Sequence, residues 1–139
     1  MIKQKKCRIH GIIELESHTY NMHDWAPFEN SNKIYESAIR NSGDKEQEFI
    51  QKLKEDYALQ NLDFNKYLDK NVSALSFPNG KTDTLTNVIL SRLGIKATFT
   101  TKEAKNTIIK GLPQSLFCLN RFNMYEDIDD KTLLKLISD

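Results

Sequence analysis

Residues 12–19 alternate apolar and polar side chains, with Ile13, Leu15 and Ser17 on one face and Glu14, Glu16 and His18 on the other; this period of two predicts a strand. Residues 24–44 lose the pattern. Pro27, Gly43 and repeated Asn and Ser residues predict a long loop there, with one short helical turn near residues 34–39. From Lys45 to about residue 61, Phe49, Ile50, Leu53, Tyr57 and Ala58 recur at helical spacing, and the pattern runs on through Leu62, Phe64, Tyr67 and Leu68. That stripe is expected to pack into the core. Residues 72–77 predict a short strand closed by the tight turn Pro78-Asn79-Gly80. Thr82 or Asp83 is placed to cap a helix carrying Leu85, Val88, Ile89 and Leu93, and Gly94 stands where helices commonly end in a left-handed residue. A strand over 96–101, a loop, a final strand at the segment Leu119-Asn120-Arg121-Phe122-Asn123 and a helical pattern opened by Asp129-Asp130 complete the order.

Strand, turn, helix and strand over 72–101 form a βαβ unit, and hence a parallel sheet of the α/β class. In barrels built from such units the active site collects at the C-terminal ends of the strands. His18, the turn at Pro78 and the end of the 96–101 strand all fall there.

Composition narrows the picture modestly. The chain has 139 residues, 39% of them hydrophobic and 28% charged, with a formal charge of +1, which fits one globular domain. The near-neutral charge, with no basic stripe beyond Lys3 to Arg8, argues against nucleic-acid binding. Lys3, Lys5 and Lys6 look like the start of a signal peptide, but Cys7-Arg8-Ile9-His10-Gly11 interrupts any apolar core, and no stretch approaches the roughly eighteen apolar residues of a membrane helix. Cys7 and Cys118 lack C-x-x-C spacing and read as ordinary thiols. His10 has no partner at metal spacing.

The strongest chemical signal is His18-Thr19-Tyr20-Asn21-Met22-His23, two imidazoles five residues apart at the end of an apolar run. Neutral imidazole is a common metal ligand, and this spacing suits a loop that leaves a strand and curls back. A strand-capping histidine followed by a solvated one would give the same pattern. A catalytic zinc takes three protein ligands and a water, so two histidines leave a place to fill, for which Asp24 or Glu14 is a candidate. Glu14 or Glu16, sharing the face of His18, is placed to orient that ring, and a solvated or salt-bridged strand residue is an equal reading for Glu16. Trp25 and Phe28 are either stacking platforms for sugar rings or aromatics packed beneath their loop. No G-x-S-x-G elbow or ordered Ser, His, Asp set offers another nucleophile.

Read as Glu14-Leu15-Glu16-Ser17-His18-Thr19-Tyr20-Asn21-Met22-His23, the segment resembles the second motif of the polysaccharide deacetylases, the NodB-homology or carbohydrate esterase family 4 domain, in which both histidines bind the metal. Ser76-Phe77-Pro78-Asn79-Gly80 resembles the family's third motif, an aromatic-Pro-aromatic-Gly turn. Leu93-Gly94-Ile95-Lys96-Ala97-Thr98-Phe99-Thr100-Thr101 resembles the helix-to-strand segment that follows it, and Leu119-Asn120-Arg121-Phe122-Asn123 the last motif. The resemblance covers about residues 9–125 and starts partway into the family domain: the family's T-F-D-D-G strand, which brings the catalytic base and the third metal ligand, has no counterpart before His18.

The resemblance implies a partial (β/α) barrel of the NodB type, with parallel strands, flanking helices and the N-terminal strands missing, as a single partial domain over 1–139. It implies a metal-dependent hydrolase that removes N-acetyl groups from N-acetylglucosamine-containing polysaccharide. His18 and His23 would bind a divalent metal, expected to be zinc. Pro78, Asn79 and Gly80 would line the substrate site and offer a backbone N–H to the oxyanion, Arg121 would orient a carboxylate, and Trp25 would wall the groove. Asn79 stands where the family usually has an aromatic, so a sugar contact is expected to differ. The alternative is a non-catalytic carbohydrate-binding or metal-binding remnant of the same fold. The family implies work at the cell envelope or outside the cell, and an incomplete barrel implies self-association through open strand edges.

Overall fold

The computed structural model describes residues 13–23 and 37–138. Among these residues the first element is α1 (Glu46–Leu68), a single helix of 23 residues, about 34 Å long. It opens on Glu46 and Glu48, whose charges suit a helix N-terminus, and stops at Asp69, in left-handed backbone with φ 54°. The buried stripe of α1 is Phe49, Leu53, Asp56, Gln60 and Leu68, whereas Ala58, expected on the core face, is exposed.

Strand β1 (Ala74–Ser76) follows, then a single 3-10 turn at Pro78–Gly80. Helix α2 (Thr84–Leu93) is capped by Asp83, whose carboxylate accepts the Thr86 N–H at 2.7 Å, and ends on Gly94 at φ 108°. Of the two caps the sequence offers, Asp83 serves, while Thr82 accepts from the Asn87 side chain. Strand β2 (Ala97–Phe99), a 3-10 turn at Pro113–Leu116 and helix α3 (Asp130–Ile137), capped by Asp129, complete the chain.

β1 and β2 pair in parallel, Leu75 facing Thr98. Single parallel bridges extend the sheet on both sides, Ser17 beside Leu75 and Leu119 beside Phe99, so four parallel segments lie in chain order. The first is shorter than the strand expected over 12–19. Past the Ser17 bridge, the Glu16 carboxylate rather than a backbone carbonyl accepts the N–H groups of Ser73 and Ala74, each at 2.9 Å, and the Leu15 carbonyl is held by Lys70. A side chain thus replaces the ladder. The α/β class with parallel strands and flanking helices is as expected, and the described residues form an open parallel sheet, consistent with a fragment of a larger α/β domain; they do not themselves show a barrel.

The core gathers between helices and sheet. Phe49, Leu53, Val72, Leu75, Phe77, Ile89, Leu90 and Ile95 cluster there with Met22 and Ala38. Burial of each large side chain contributes about 1.5–3 kcal/mol. Met22 belongs to the loop between the two histidines, so the core itself anchors that loop.

Candidate functional site

The C-terminal ends of the four parallel segments lie side by side and carry His18, the Pro78–Gly80 turn, Thr100 to Lys102, and Asn120 with Arg121. Gly80, Thr100, Thr101, Lys102, Cys118 and Asn120 line an open cavity of about 610 Å³. Beneath it the buried Thr98 hydroxyl donates to Asn87 at 2.9 Å and accepts the Cys118 N–H at 2.8 Å, tying the ends of two segments to α2.

His18 and His23 come together, with ring centroids 5.0 Å apart and planes nearly perpendicular at 89°. The Nδ1 of His18 lies 2.8 Å from the Ser76 carbonyl. A carbonyl only accepts, so Nδ1 carries a proton, and in the neutral ring Nε2 then keeps its lone pair for a ligand; metal-bound histidines are commonly oriented this way. Neutral imidazole nitrogens of this kind suit a divalent metal such as zinc. Among the described residues no group of three His, Cys, Asp or Glu side chains gathers at one point.

The orienting partner of His18 is therefore a backbone carbonyl of β1, not Glu14 or Glu16. Those two carboxylates both pair with Lys70. Burial pushes the Glu16 carboxyl up, but bonds from Lys70, the Ser73 and Ala74 N–H groups and the Ser73 hydroxyl outweigh it and hold the group below the ordinary glutamate range.

Pro78 is buried and Asn79 exposed, in left-handed backbone with φ 54°, where Asn is better tolerated than most side chains. The Gly80 N–H does not point to substrate: it donates to the Phe77 carbonyl at 3.0 Å, closing the turn. The Arg121 backbone N–H bonds the Lys102 carbonyl at 3.0 Å, its Nε is buried without a hydrogen-bond partner, and no carboxylate among the described residues pairs with it. Asp24, Trp25 and Phe28 lie outside the described residues, as do Cys7 and His10. Cys118 is an exposed free thiol. The Asp129-Asp130 pair opens α3, as the helical pattern indicated.

Sequence reasoning missed Asp56 and Gln60. Asp56 accepts the N–H of Tyr20 at 3.0 Å and of Asn21 at 2.6 Å, and Gln60 joins it to Ser17. The available signal was a polar pair at positions 56 and 60 on the helical stripe begun by Phe49 and Leu53.

An open parallel sheet with helical crossovers and a histidine pair at its C-terminal edge is the arrangement that the resemblance to polysaccharide deacetylases led one to expect. Comparison with solved structures bears this out at the level of fold. The chain superposes on a de-N-acetylase from Aggregatibacter actinomycetemcomitans with a TM-score of 0.71 at 15% identity, covering 98% of this chain and 52% of that one. It matches the Streptococcus pyogenes deacetylase PplD, solved with acetate, with a TM-score of 0.70 at 20% identity over 100% and 51% of the two chains. For IcaB from Ammonifex degensii the TM-score is 0.61 at 24% identity, over 88% and 46%. The chain thus has a deacetylase-like fold and spans about half the length of these structures. No family model matches it, and neither does any curated protein.

Proposed function

We propose that the chain supplies the two-histidine side of a metal-dependent hydrolase that removes N-acetyl groups from N-acetylglucosamine-containing polysaccharide, with zinc as the metal. The observation that carries this reading is the Nδ1 of His18 on the Ser76 carbonyl, which leaves Nε2 of the neutral ring for a ligand, with the ring of His23 centred 5.0 Å away. When bound, such a metal lowers the pKa of a water and polarises an amide carbonyl.

The residues of this chain hold and orient. His18 and His23 offer neutral nitrogens. Gly80, closing the Pro78–Gly80 turn, shapes the cavity edge with Thr101 and Asn120, and Pro78 and Asn79 are assigned to the substrate side of that edge. Arg121 is assigned to a carboxylate outside the described residues, through a bidentate pair that would also satisfy its buried Nε. That carboxylate would take the proton of the attacking water. Trp25 is assigned to the groove wall, where an indole face suits a sugar ring. Action on such polymers implies a place at the cell envelope or outside the cell; among the described residues no helix is long and apolar enough to cross a membrane.

Acetate release from N-acetylglucosamine oligomers, by the chain supplied with a segment carrying the T-F-D-D-G motif, tests the reading. The expected result is release that depends on added zinc and disappears in His18→Ala. Oligomer binding with no release under any divalent metal would overturn the hydrolytic reading in favour of a carbohydrate-binding module.

A further inference from the structure

We propose that Asp56, acting with Gln60, is a positioning residue that holds the loop between His18 and His23 in the shape that brings the two imidazoles together. The inference rests on the proposed function for its metal readout alone.

Asp56 and Gln60 are 6% and 4% exposed and sit one turn apart on the core-facing stripe of α1. A buried carboxylate is costly unless hydrogen bonds compensate it. Here the compensation comes from the loop. The Tyr20 N–H reaches Oδ1 and Oδ2 of Asp56 at 3.1 and 3.0 Å, and the Asn21 N–H reaches Oδ1 at 2.6 Å. Gln60 donates from Nε2 to Oδ2 of Asp56 at 2.7 Å and accepts the Ser17 hydroxyl at Oε1. The Ser17 oxygen in turn accepts the Thr19 N–H at 3.0 Å. Three consecutive loop amides, those of Thr19, Tyr20 and Asn21, therefore end on one buried network.

That network has strain to hold. Thr19 sits at φ 73°, left-handed backbone that a β-branched residue rarely adopts. The turn at Thr19 lets the chain double back after His18, and Met22, 3% exposed in the core, fixes the far end just before His23. The two rings thus stand on a loop pinned by α1 from below and by β1 through Ser76 from the side. The carboxylate of Asp56 acts on the histidines through backbone.

The test uses the full chain and two near-isosteric variants, Asp56→Asn and Gln60→Met. Without metal, amide exchange at Tyr20 and Asn21 and the His18 tautomer are read by nitrogen-15 NMR. Asp56→Asn is expected to keep a cooperative melt, to speed exchange at those amides by roughly tenfold or more, as loss of a charge-assisted bond implies, and to erase the Nδ1–H preference of His18. Gln60→Met is expected to do the same more weakly. With cobalt(II) as a spectroscopic probe, Asp56→Asn should bind roughly ten- to a hundredfold more weakly than the parent, the size seen when a group behind a metal ligand is lost. Parental exchange, tautomer and cobalt(II) affinity in both variants would overturn the proposal, and so would global unfolding of both, which would make the pair a part of the core alone. A parent that binds no cobalt(II), while the variants release the loop, would contradict the metal reading and leave the positioning role standing.

Discussion

A methyl group on Gly80 would lie 2.1 Å from the Thr101 hydroxyl oxygen and 2.6 Å from its backbone nitrogen, and Gly80 itself is held at φ +67°. The residue must be glycine for two reasons, left-handed backbone and the close approach of the next parallel segment. Gly80→Ala is expected to cost ~1–2 kcal/mol from backbone conformation alone, with the clash adding to it. A lowered urea midpoint at unchanged slope checks this; an unchanged midpoint would show that Thr101 gives way freely. The glycine was legible as a turn residue, but its closeness to Thr101, 21 positions on, was not. The histidines show the same limit. Their types and spacing were plain, yet the group orienting His18 is a backbone carbonyl, which sequence does not distinguish, and Glu14 and Glu16, the two candidate partners, are held by Lys70.

At the scale of elements, helices were read more accurately than strands. Each helix carries its own signals: Asp83 and Asp129 at N-caps, Gly94 at a C-terminus, and a stripe at helical spacing in α1. The strands depend on neighbours. The 12–19 pattern yields a single bridge because the Glu16 carboxylate occupies the β1 amides that further pairing would use. This has a consequence for pH. The Glu16 carboxyl is depressed in the folded chain, so its stabilisation is fully present above the ordinary glutamate pKa of about 4.3 and is lost as pH falls through the lower folded value. The parent is therefore expected to lose stability on acidification across that window, and Glu16→Gln to lose less over the same range while being less stable at pH 7. Denaturant melts from pH 7 down to 3 distinguish the two; parallel pH profiles would remove Glu16 from the account. The polar pair on α1 was passed over for a related reason, since a stripe is read by its apolar members and Asp56 and Gln60 count against it until the loop they hold is seen.

For the whole molecule, four short motifs in order pointed to the deacetylase fold, whereas hydrophobic periodicity alone reached only a parallel α/β sheet. The described residues form an open sheet, consistent with a partial α/β domain, and do not themselves show a barrel. Ile108, Ile109 and Leu112 in the β2-to-Leu119 connection are 60%, 52% and 44% exposed, and Leu134 and Ile137 on α3 are 59% and 65% exposed. Apolar surface of this kind favours association. Sedimentation velocity at rising concentration is expected to show self-association that Leu134→Lys with Ile137→Lys reduces; a single monomeric species at all concentrations would contradict it.

The central claim is that His18 and His23 hold a divalent metal. Elemental analysis of the purified chain after zinc loading and gel filtration tests it most directly, beside the His18→Ala, His23→Ala double variant. About one zinc per chain in the parent and none in the variant is the expected result. Equal zinc in both, or none in either, would contradict it.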